Sequence, residues 1–298
     1  MYGADMVFTE FISADGLIRN GAKSLRKLDI DNNERPVGIQ LYGHIIESMI
    51  LAVRIAENAN PDLIDLNFGC PVKKISRRGA GAGMLRNVPM MVKMTEEVVK
   101  ATTLPVTVKT RLGWDDSNRN IVDIALRLQD AGIRLITIHA RTAAQLYRGR
   151  ADWTLIGEVK NHPKINIPVI GNGDVDSPER AKEMFDQYGV DGIMIGRAVV
   201  GRPWIFRDIK YYLETGKVNS PPGISERVKL AKLHFEKSLT YKGEKRGVLE
   251  MRRHFAGYFK GLPDFRELRL KLLTSTDVNE IGEMLDIILE RYKGCDLS

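Results

Sequence analysis

Short apolar stretches alternate with longer amphipathic segments through most of the chain. Seven of the short stretches have the length and the alternation of side chains that are typical of β-strands, at residues 6–11, 37–42, 63–68, 106–111, 135–141, 169–174 and 192–197. Segments of helical length lie between them, including residues 47–58, 89–102, 120–131 and 178–188. Strands that alternate with helices predict parallel pairing through right-handed crossovers.

These elements predict an α/β fold, a TIM-type (β/α)8 barrel of which seven of the eight βα units are present. Seven strands alone would leave two unpaired edges, so we expect a further N-terminal strand and helix in the complete barrel. A doubly wound open sheet is the alternative architecture. We assign residues 1–207 to the barrel and residues 208–224 to a connecting segment.

A different pattern begins near Asn219-Ser-Pro-Pro-Gly223, after which the chain is helical. Helices are predicted at residues 225–241, 247–260, 263–274 and 277–292, with Ser225 and Asp277 as N-caps. The first of them carries an apolar stripe at helical spacing, formed by Val228, Ala231, Phe235 and Leu239. We therefore predict a small helical bundle over residues 225–298.

Polar side chains occur in matching register on five of the predicted strands. Residues two apart on a strand share a face, and the carboxyl ends of parallel strands lie at one end of a barrel. That end carries the active site in βα barrels. We therefore predict that five residues converge at one mouth of the barrel: Gln40, Asn67, Lys109, His139 and Asn172.

Cys70 follows a predicted strand and a break at Gly69, and Pro71 comes directly after it. A reactive side chain at the carboxyl end of a strand is typical of catalysis in such folds, whereas most free cysteines are small buried core residues. The other cysteine is Cys295, and the two are too few and too far apart for a disulfide framework. We therefore expect a reducing, cytoplasmic setting.

Two glycine-rich segments follow the last two predicted strands, Ile170-Gly-Asn-Gly-Asp174 and Ile195-Gly-Arg-Ala198. Loops in these positions commonly bind a phosphate, which Arg197 could hold through two hydrogen bonds. The chain has no dinucleotide fingerprint, no Walker loop and no cluster with metal-ligand spacing, so we expect no metal. A lysine and a histidine that face a planar cofactor suit the anionic reduced ring of flavin mononucleotide (FMN).

Several motifs together resemble the tRNA-dihydrouridine synthases, in particular their bacterial B-type branch. In the barrel the motifs are Asp65-Leu-Asn-Phe-Gly-Cys-Pro71, Val108-Lys-Thr-Arg-Leu-Gly113, Ile138-His-Ala-Arg-Thr142 with Ala151-Asp-Trp153, Gly171-Asn-Gly-Asp174 and Gly196-Arg-Ala198. In the helical part they are Tyr241-Lys-Gly-Glu-Lys-Arg-Gly247 and Met251-Arg-Arg-His254. The resemblance therefore covers essentially the whole chain.

The resemblance implies a flavin barrel with a helical tRNA-binding domain, which reduces uridine in the tRNA D-loop to 5,6-dihydrouridine with NADPH as electron donor. The family's proton donor matches Cys70. Its flavin contacts match Gln40, Lys109, His139, Asn172, Gly173, Asp174, Gly196 and Arg197, to which we add Asn67 from its place at the barrel mouth. A Pro-Met-Ala-Gly-type loop on the family's first strand, which also contacts the flavin, has no counterpart here.

The chemistry of uracil reduction gives Cys70 a role that does not depend on the resemblance. Hydride transfer to C6 of uracil moves negative charge toward C5 and O4, and an acid must then protonate C5. A thiol with a pKa of about 8.5 is protonated at neutral pH and still able to give up its proton. We therefore expect Cys70 to be the general acid.

Basic residues indicate where RNA would bind, since the net charge of +7 favours an anionic partner. The target base has to leave the RNA stack, and Arg141 is predicted to hold it or a neighbouring phosphate. Further contacts are predicted from a mobile basic loop with Lys73, Lys74, Arg77 and Arg78, and from Arg252 and Arg253. Aromatic residues near the last pair, Phe255 and Tyr258 among them, fit an RNA-facing surface. A solvated turn and a solvated charged face are the alternatives.

Two other functions stay open. One is another FMN-barrel oxidoreductase that acts on a free, pyrimidine-like small molecule and has no need of a basic helical domain. The other is a non-catalytic RNA-binding protein that keeps the barrel without its chemistry. No stretch has the apolar length of a membrane span, and we expect a monomer.

Overall fold

The computed structural model describes residues 2–295. Its strands are β1 (Val7–Phe8), β2 (Ile12–Ser13), β3 (Val37–Tyr42), β4 (Leu63–Asn67), β5 (Val106–Arg111), β6 (Leu135–His139), β7 (Val169–Asn172) and β8 (Gly192–Met194). Its α-helices are α1 (Ala14–Ile18), α2 (Ala22–Leu25), α3 (Ile46–Glu57), α4 (Lys73–Ser76), α5 (Val88–Ala101), α6 (Ile121–Asp130), α7 (Thr154–Lys160), α8 (Pro178–Tyr188), α9 (Ile205–Thr215), α10 (Ile224–Lys242), α11 (Glu244–Tyr258), α12 (Arg266–Thr274) and α13 (Val278–Arg291). Short 3-10 helices lie at Arg26–Leu28, Asn32–Glu34, Gly81–Arg86 and Arg197–Val199.

The strands form one parallel sheet in the order β1, β3, β4, β5, β6, β7, β8, with β2 also paired to β3. β1 and β2 lie along the same edge of β3, with Val7 beside Val37 and Ile12 beside Leu41. The two short strands thus take the place of the first predicted strand. A doubly wound sheet would reverse its strand order at one point, and this order never reverses. The TIM-type fold is therefore confirmed, as a sheet whose two ends in the described chain are β1 and β8.

Alternation along each strand separates the apolar core from the polar residues of the mouth. Ile64, Leu66 and Val108 are fully buried, as are Ile136 and Ile138 on the following strand. Helices cover the sheet through apolar stripes: in α6 the buried residues are Ile121, Ile124, Ala125 and Leu128, at the spacing of one helix face. The hydrophobic pattern therefore fixes which strand face carries polar side chains.

The chain divides into two compact units. The barrel unit comprises Ala4–Val175 and Arg180–Ile195, and the helical unit comprises the chain from Gly196 onward with Asp176–Glu179 and the first residues. The division thus lies at Ile195 rather than at residue 207. Helix α9 occupies much of the predicted connecting segment, because residues 205–215 form an amphipathic helix within the second unit.

Helices α10 to α13 surround one apolar core in the helical unit. The predicted stripe is buried there at Val228, Ala231 and Phe235. Asp277 caps α13 by accepting hydrogen bonds from the backbone N–H groups of Asn279 and Glu280, as predicted. The predicted cap at Ser225 is wrong, because Gly223 is the last residue with extended backbone before α10. No helix among the described residues is long and apolar enough to cross a membrane.

Candidate active site

The parallel register of the sheet brings the polar strand-end residues side by side. Gln40 lies beside Asp65, Asn67 beside Lys109, and His139 beside Asn172. Gln40, Asn67, His139 and Asn172 are each between 6 and 8% exposed. Buried polar side chains need hydrogen-bond partners. At the mouth of the barrel, neighbouring protein groups rather than water therefore determine the orientation and the protonation state of these side chains.

Cys70 lies in a tight turn directly after β4. Its backbone N–H donates to Oδ1 of Asn67 at 2.9 Å, and so does that of Gly69 at 3.1 Å. A Cβ at Gly81, which has a φ of +54°, would lie 2.9 Å from the carbonyl oxygen of Cys70, so the chain that covers the turn needs glycine there. The turn is therefore held from within by Asn67 and from outside by the segment around Gly81.

The thiol of Cys70 is 7% exposed, and burial raises its pKa above the ordinary value. The backbone N–H of Val72 and the positive charges of Arg111 and Lys109 act in the opposite direction, but burial has the larger effect. The thiol is consequently protonated at neutral pH. A protonated thiol at the end of a barrel strand can donate a proton, whereas it is a poor nucleophile.

Lys109 supplies a positive charge at the centre of the mouth. Burial, followed by the charge of Arg111, lowers its pKa to about 8, while Asp65 and Cys70 act in the opposite direction. The side-chain amine of Lys109 is thus largely in its protonated, positively charged form at neutral pH. Its Nζ donates to Oδ1 of Asn172 at 3.3 Å, and Nδ2 of Asn172 donates to the carbonyl oxygen of Met194 at 2.8 Å.

His139 is neutral and buried at the mouth of the barrel. Burial, followed by the charges of Arg111, Lys109 and Arg141, lowers its pKa to about 2, while Asp174 acts in the opposite direction. Nδ1 is buried and has no hydrogen-bond partner among the described residues. The ring stands edge-on to Tyr147, with ring centroids 6.3 Å apart. A buried nitrogen without a partner is a position where a bound ligand can complete the hydrogen bonding.

Arg111 and Asp65 belong to the site, although the sequence analysis did not assign them. Nε of Arg111 donates to the carbonyl oxygen of Gly69 at 2.7 Å, next to Cys70. Asp65 is 1% exposed and accepts hydrogen bonds from Gln40 and Thr107. Alternation was the available signal, since it places Asp65 on the same face as Asn67 and Arg111 on the same face as Lys109.

Arg141 is buried and binds loops of the barrel unit, so its side chain is not exposed for the predicted RNA contact. The side chain is 2% exposed, and all three guanidinium nitrogens are hydrogen-bonded. Nη1 and Nη2 donate to Asp174, Nη2 donates in addition to the carbonyl oxygen of Gly149, and Nε donates to that of Arg148. Arg141 therefore holds the loop after β6 against the glycine-rich segment after β7.

Trp153 packs beneath the same glycine-rich segment. A Cβ at Gly171 would lie 1.9 Å from the indole ring, so only glycine leaves room for it. Nε1 of Trp153 donates to the carbonyl oxygen of Gly173 at 2.9 Å. The segment from Asn172 to Asp174, predicted to hold a phosphate, is consequently rigidly supported.

The basic loop after Cys70 has an exposed part and a packed part. Four side chains are exposed, and none makes an ion pair within the described chain: Lys73, Lys74, Arg77 and Arg78. Residues 80–85, in contrast, are buried, and the backbone N–H of Ala82 donates to the carbonyl oxygen of Cys70 at 3.0 Å. The loop is therefore neither a solvated turn throughout nor detached from the site.

In the helical unit, adjacent arginines have different surroundings. Nη2 of Arg252 donates to the carbonyl oxygens of Thr274 and Ser275, at the end of α12, whereas Arg253 is exposed. Phe255 and Tyr258, predicted to face RNA, are 1 and 2% exposed, because they belong to the core of the bundle.

Gly196 and Arg197 also belong to the helical unit and are exposed. No group of three or more His, Cys, Asp or Glu within residues 2–295 is arranged to bind a metal ion.

Comparisons with known proteins bear on what such a site does. The family model described as dihydrouridine synthase matches residues 1–293. A probable tRNA-dihydrouridine synthase of Rickettsia prowazekii is 38% identical over 285 residues, which are 95% of this chain and 86% of that protein. A tRNA-dihydrouridine synthase B of Pseudomonas aeruginosa is 38% identical over 277 residues, 92% of this chain and 83% of that protein.

A solved structure gives a more distant likeness. Histamine dehydrogenase from Rhizobium sp. 4-9 has a TM-score of 0.54 and 14% sequence identity, and the match covers 77% of this chain and 44% of that one. At this identity the likeness concerns the fold alone.

Proposed function

Because this chain belongs to the dihydrouridine synthase family, we propose that it reduces uridine in the D-loop of tRNA to 5,6-dihydrouridine. The observation that carries the proposal is the buried, protonated thiol of Cys70 beside the positive charges of Lys109 and Arg111. Reduction of the 5,6 double bond of uracil requires a proton at C5, and this thiol is a suitable general acid.

We propose FMN as the cofactor, since the barrel offers buried groups that fit its ring. Nδ1 of His139 has no partner among the described residues, and the one hydrogen bond of Lys109 there is to the neutral side chain of Asn172. Lys109 would stabilise negative charge at the N1/O2 edge of the ring, and Gln40, Asn67, His139 and Asn172 would bind its polar groups. When bound and reduced by NADPH, FMN would supply the hydride for C6 of uracil.

The phosphate of FMN would bind to the glycine-rich segment that contains Gly173 and Asp174. Arg141 and Trp153 support this segment from the barrel side, so its backbone is preorganised. For Gly196 and Arg197, phosphate binding stays a prediction from the sequence.

Within this assignment, each residue near Cys70 has a defined task. The thiol holds the proton that uracil C5 receives. Asn67 fixes the backbone of the turn, and Arg111 fixes the carbonyl oxygen of Gly69. The charges of Lys109 and Arg111 favour the thiolate that remains after proton transfer, which assists the donation.

The exposed cations after Cys70 support tRNA as the substrate. Lys73, Lys74, Arg77 and Arg78 would bind phosphates next to the flipped-out uridine, and Arg253 would add a contact from the helical unit. A free pyrimidine has no phosphate chain for these groups to bind. The cytoplasmic location and the monomeric state stay predictions.

The test is a reaction of the purified protein with an unmodified tRNA transcript, FMN and NADPH. We expect a visible flavin spectrum and a gain of two hydrogens at uridine, detected by mass spectrometry of the digested RNA. Reduction of a free pyrimidine in preference to tRNA would favour the small-molecule oxidoreductase. Tight tRNA binding with neither a flavin spectrum nor reduction would favour the non-catalytic RNA-binding protein.

A further inference from the structure

A chain of three hydrogen bonds leads from a buried carboxylate to Cys70. Oδ2 of Asp65 accepts from Nε2 of Gln40 at 2.6 Å, and Oε1 of Gln40 accepts from Nδ2 of Asn67 at 2.6 Å. Oδ1 of Asn67 then accepts from the backbone N–H of Cys70 at 2.9 Å. The three side chains are 1, 6 and 6% exposed, so water does not compete with these bonds.

The carboxylate gives this chain a direction. An ionised Asp65 has only acceptors, so Gln40 must turn its NH2 group toward it and its carbonyl oxygen toward Asn67. Asn67 must then donate to Gln40, which leaves its own oxygen for the N–H of Cys70. Without Asp65, both amides could rotate by half a turn, and the NH2 group of Asn67 would then face the N–H of Cys70, donor against donor.

The cost of burying Asp65 indicates that the position needs a polar acceptor. Oδ1 of Asp65 accepts from Oγ1 of Thr107 at 2.5 Å, which uses its second oxygen. Burial nevertheless raises the pKa of Asp65 to about 6, against these hydrogen bonds and the charge of Lys109. If this position served packing alone, burial of an apolar residue would cost less free energy than burial of a carboxylate.

We propose that Asp65 is a positioning residue that sets the direction of the Gln40–Asn67 chain and thereby holds the backbone and thiol of Cys70 in place. This positioning role rests on the proposed function only in that Cys70 is taken to be the proton donor. The alternatives are that Asp65 acts through its charge, or that it merely stabilises the barrel.

The test measures how fast iodoacetamide alkylates Cys70, in a Cys295→Ser background where it is the single cysteine. Asp65→Leu removes the acceptor, and we expect alkylation to accelerate about tenfold. This factor corresponds to the net free energy of the one hydrogen bond that no longer holds Cys70. Gln40→Met interrupts the chain with Asp65 and Thr107 intact and should give the same acceleration, so it replaces Asp65→Leu if that variant fails to fold.

Asp65→Asn separates direction from charge. Its Oδ1 can still accept from Gln40, while its NH2 group donates to the hydroxyl of Thr107, so alkylation should stay within about twofold of the parent rate. Asp62→Asn is the matched control for lost stability. Asp62 accepts from the N–H of Val37 at 2.7 Å and pairs with Arg35, apart from the chain, and should leave the rate unchanged.

Parent-like rates in folded Asp65→Leu and Gln40→Met would overturn the proposal. Equal acceleration in Asp65→Asn and Asp65→Leu would assign the effect to charge, and acceleration in Asp62→Asn would assign it to global opening. The assay contains neither tRNA nor FMN nor NADPH. Failure of the proposed tRNA reduction and failure of the positioning role would therefore be seen in separate experiments.

Discussion

Arg141 donates two parallel hydrogen bonds to Asp174, from Nη1 to Oδ1 at 3.0 Å and from Nη2 to Oδ2 at 2.6 Å. The pair joins the end of β6 to the turn after β7, where Asp174 has a φ of +53°. Oδ2 of Asp174 also accepts from the backbone N–H of Ala151 at 2.9 Å. The ion pair thus determines the shape of the turn that is proposed to bind the FMN phosphate.

Arg141→Ala should destabilise the barrel unit and weaken FMN binding. Removal of one partner of a buried pair costs about 3–5 kcal/mol, and we expect the low end because the carboxylate of Asp174 is partly exposed. Urea unfolding and titration with FMN would measure the two effects. Arg119→Ala is the control: Arg119 pairs with Asp152 at 3.2 Å on the surface of the same unit, and its loss should cost less than about 1 kcal/mol. Normal FMN affinity in Arg141→Ala would contradict the supporting role.

Cys70→Ala should separate the two half-reactions. We expect NADPH to reduce the bound flavin at a near-normal rate, because that step delivers no proton to uracil. Reoxidation by unmodified tRNA should slow by roughly 10²–10⁴, the factor that a general acid contributes. Stopped-flow absorbance measures both rates. Cys70→Ser should not restore reoxidation, because a hydroxyl is a weaker acid, and Cys295→Ala should behave as wild type. Equal reoxidation rates in wild type and Cys70→Ala would return Cys70 to a structural role.

Lys109→Met should lower the reduction potential of the bound flavin. The positive charge of Lys109 favours the reduced, anionic ring over the oxidised, neutral ring, so its removal favours oxidation. Spectroelectrochemical titration of the flavin-loaded protein measures the shift. Lys100→Met, which removes an exposed lysine paired with Glu97 at the end of α5, should leave the potential unchanged. An unaltered potential in Lys109→Met at normal flavin occupancy would exclude Lys109 as the group that tunes the ring.

Arg252 and Arg253 should differ in what their loss affects, although they are adjacent. Arg253→Ala should weaken tRNA binding and reduce the salt slope of the affinity by about one, because one phosphate contact is lost. Arg252→Ala should instead destabilise the helical unit, since the guanidinium binds carbonyl oxygens at the end of α12. Binding over a range of salt concentrations and thermal unfolding distinguish the two. A salt slope that changes only in Arg252→Ala would reverse the assignment.

The helical unit should lose stability in mild acid through a pair of histidines. The rings of His234 and His254 are 4.5 Å apart, and Nδ1 of His234 lies 3.2 Å from the hydroxyl of Tyr258. Burial lowers the pKa of His254 to about 4, with His234, Arg253 and Lys242 acting in the same direction and Glu250 against them. Because the unfolded chain then binds more protons, stability should fall as pH drops from about 6.5 toward 4.

His254→Phe should reduce this pH dependence. Circular dichroism during urea unfolding, at several pH values between 7 and 4, would measure it against wild type. His162→Phe, in the barrel unit, is the control and should leave the acid sensitivity of the helical unit intact. An equally steep loss of stability in His254→Phe would assign the effect to other groups.

The sequence by itself determined the order and type of the elements. Alternation and helical periodicity are local, and so the predicted strands at residues 37–42 and 106–111 and the helix at 178–188 agree with β3, β5 and α8. The same alternation placed Gln40, Lys109 and His139 on the polar face of their strands. Register in a parallel sheet is set by burial of the opposite face, so these side chains had to meet at one end.

Only the tertiary structure decided which polar groups face water and which face one another. Arg141 and Arg253 are both arginines near motif positions, yet one is enclosed by Asp174 and two carbonyl oxygens and the other is exposed. The direction of the hydrogen bonds from Asp65 to Cys70 likewise depends on Gln40 of β3, which is 25 residues from Asp65 and 27 residues from Asn67 in sequence. Burial and hydrogen-bond partners arise from packing between such segments, and a local pattern of hydrophobic and polar residues does not encode them.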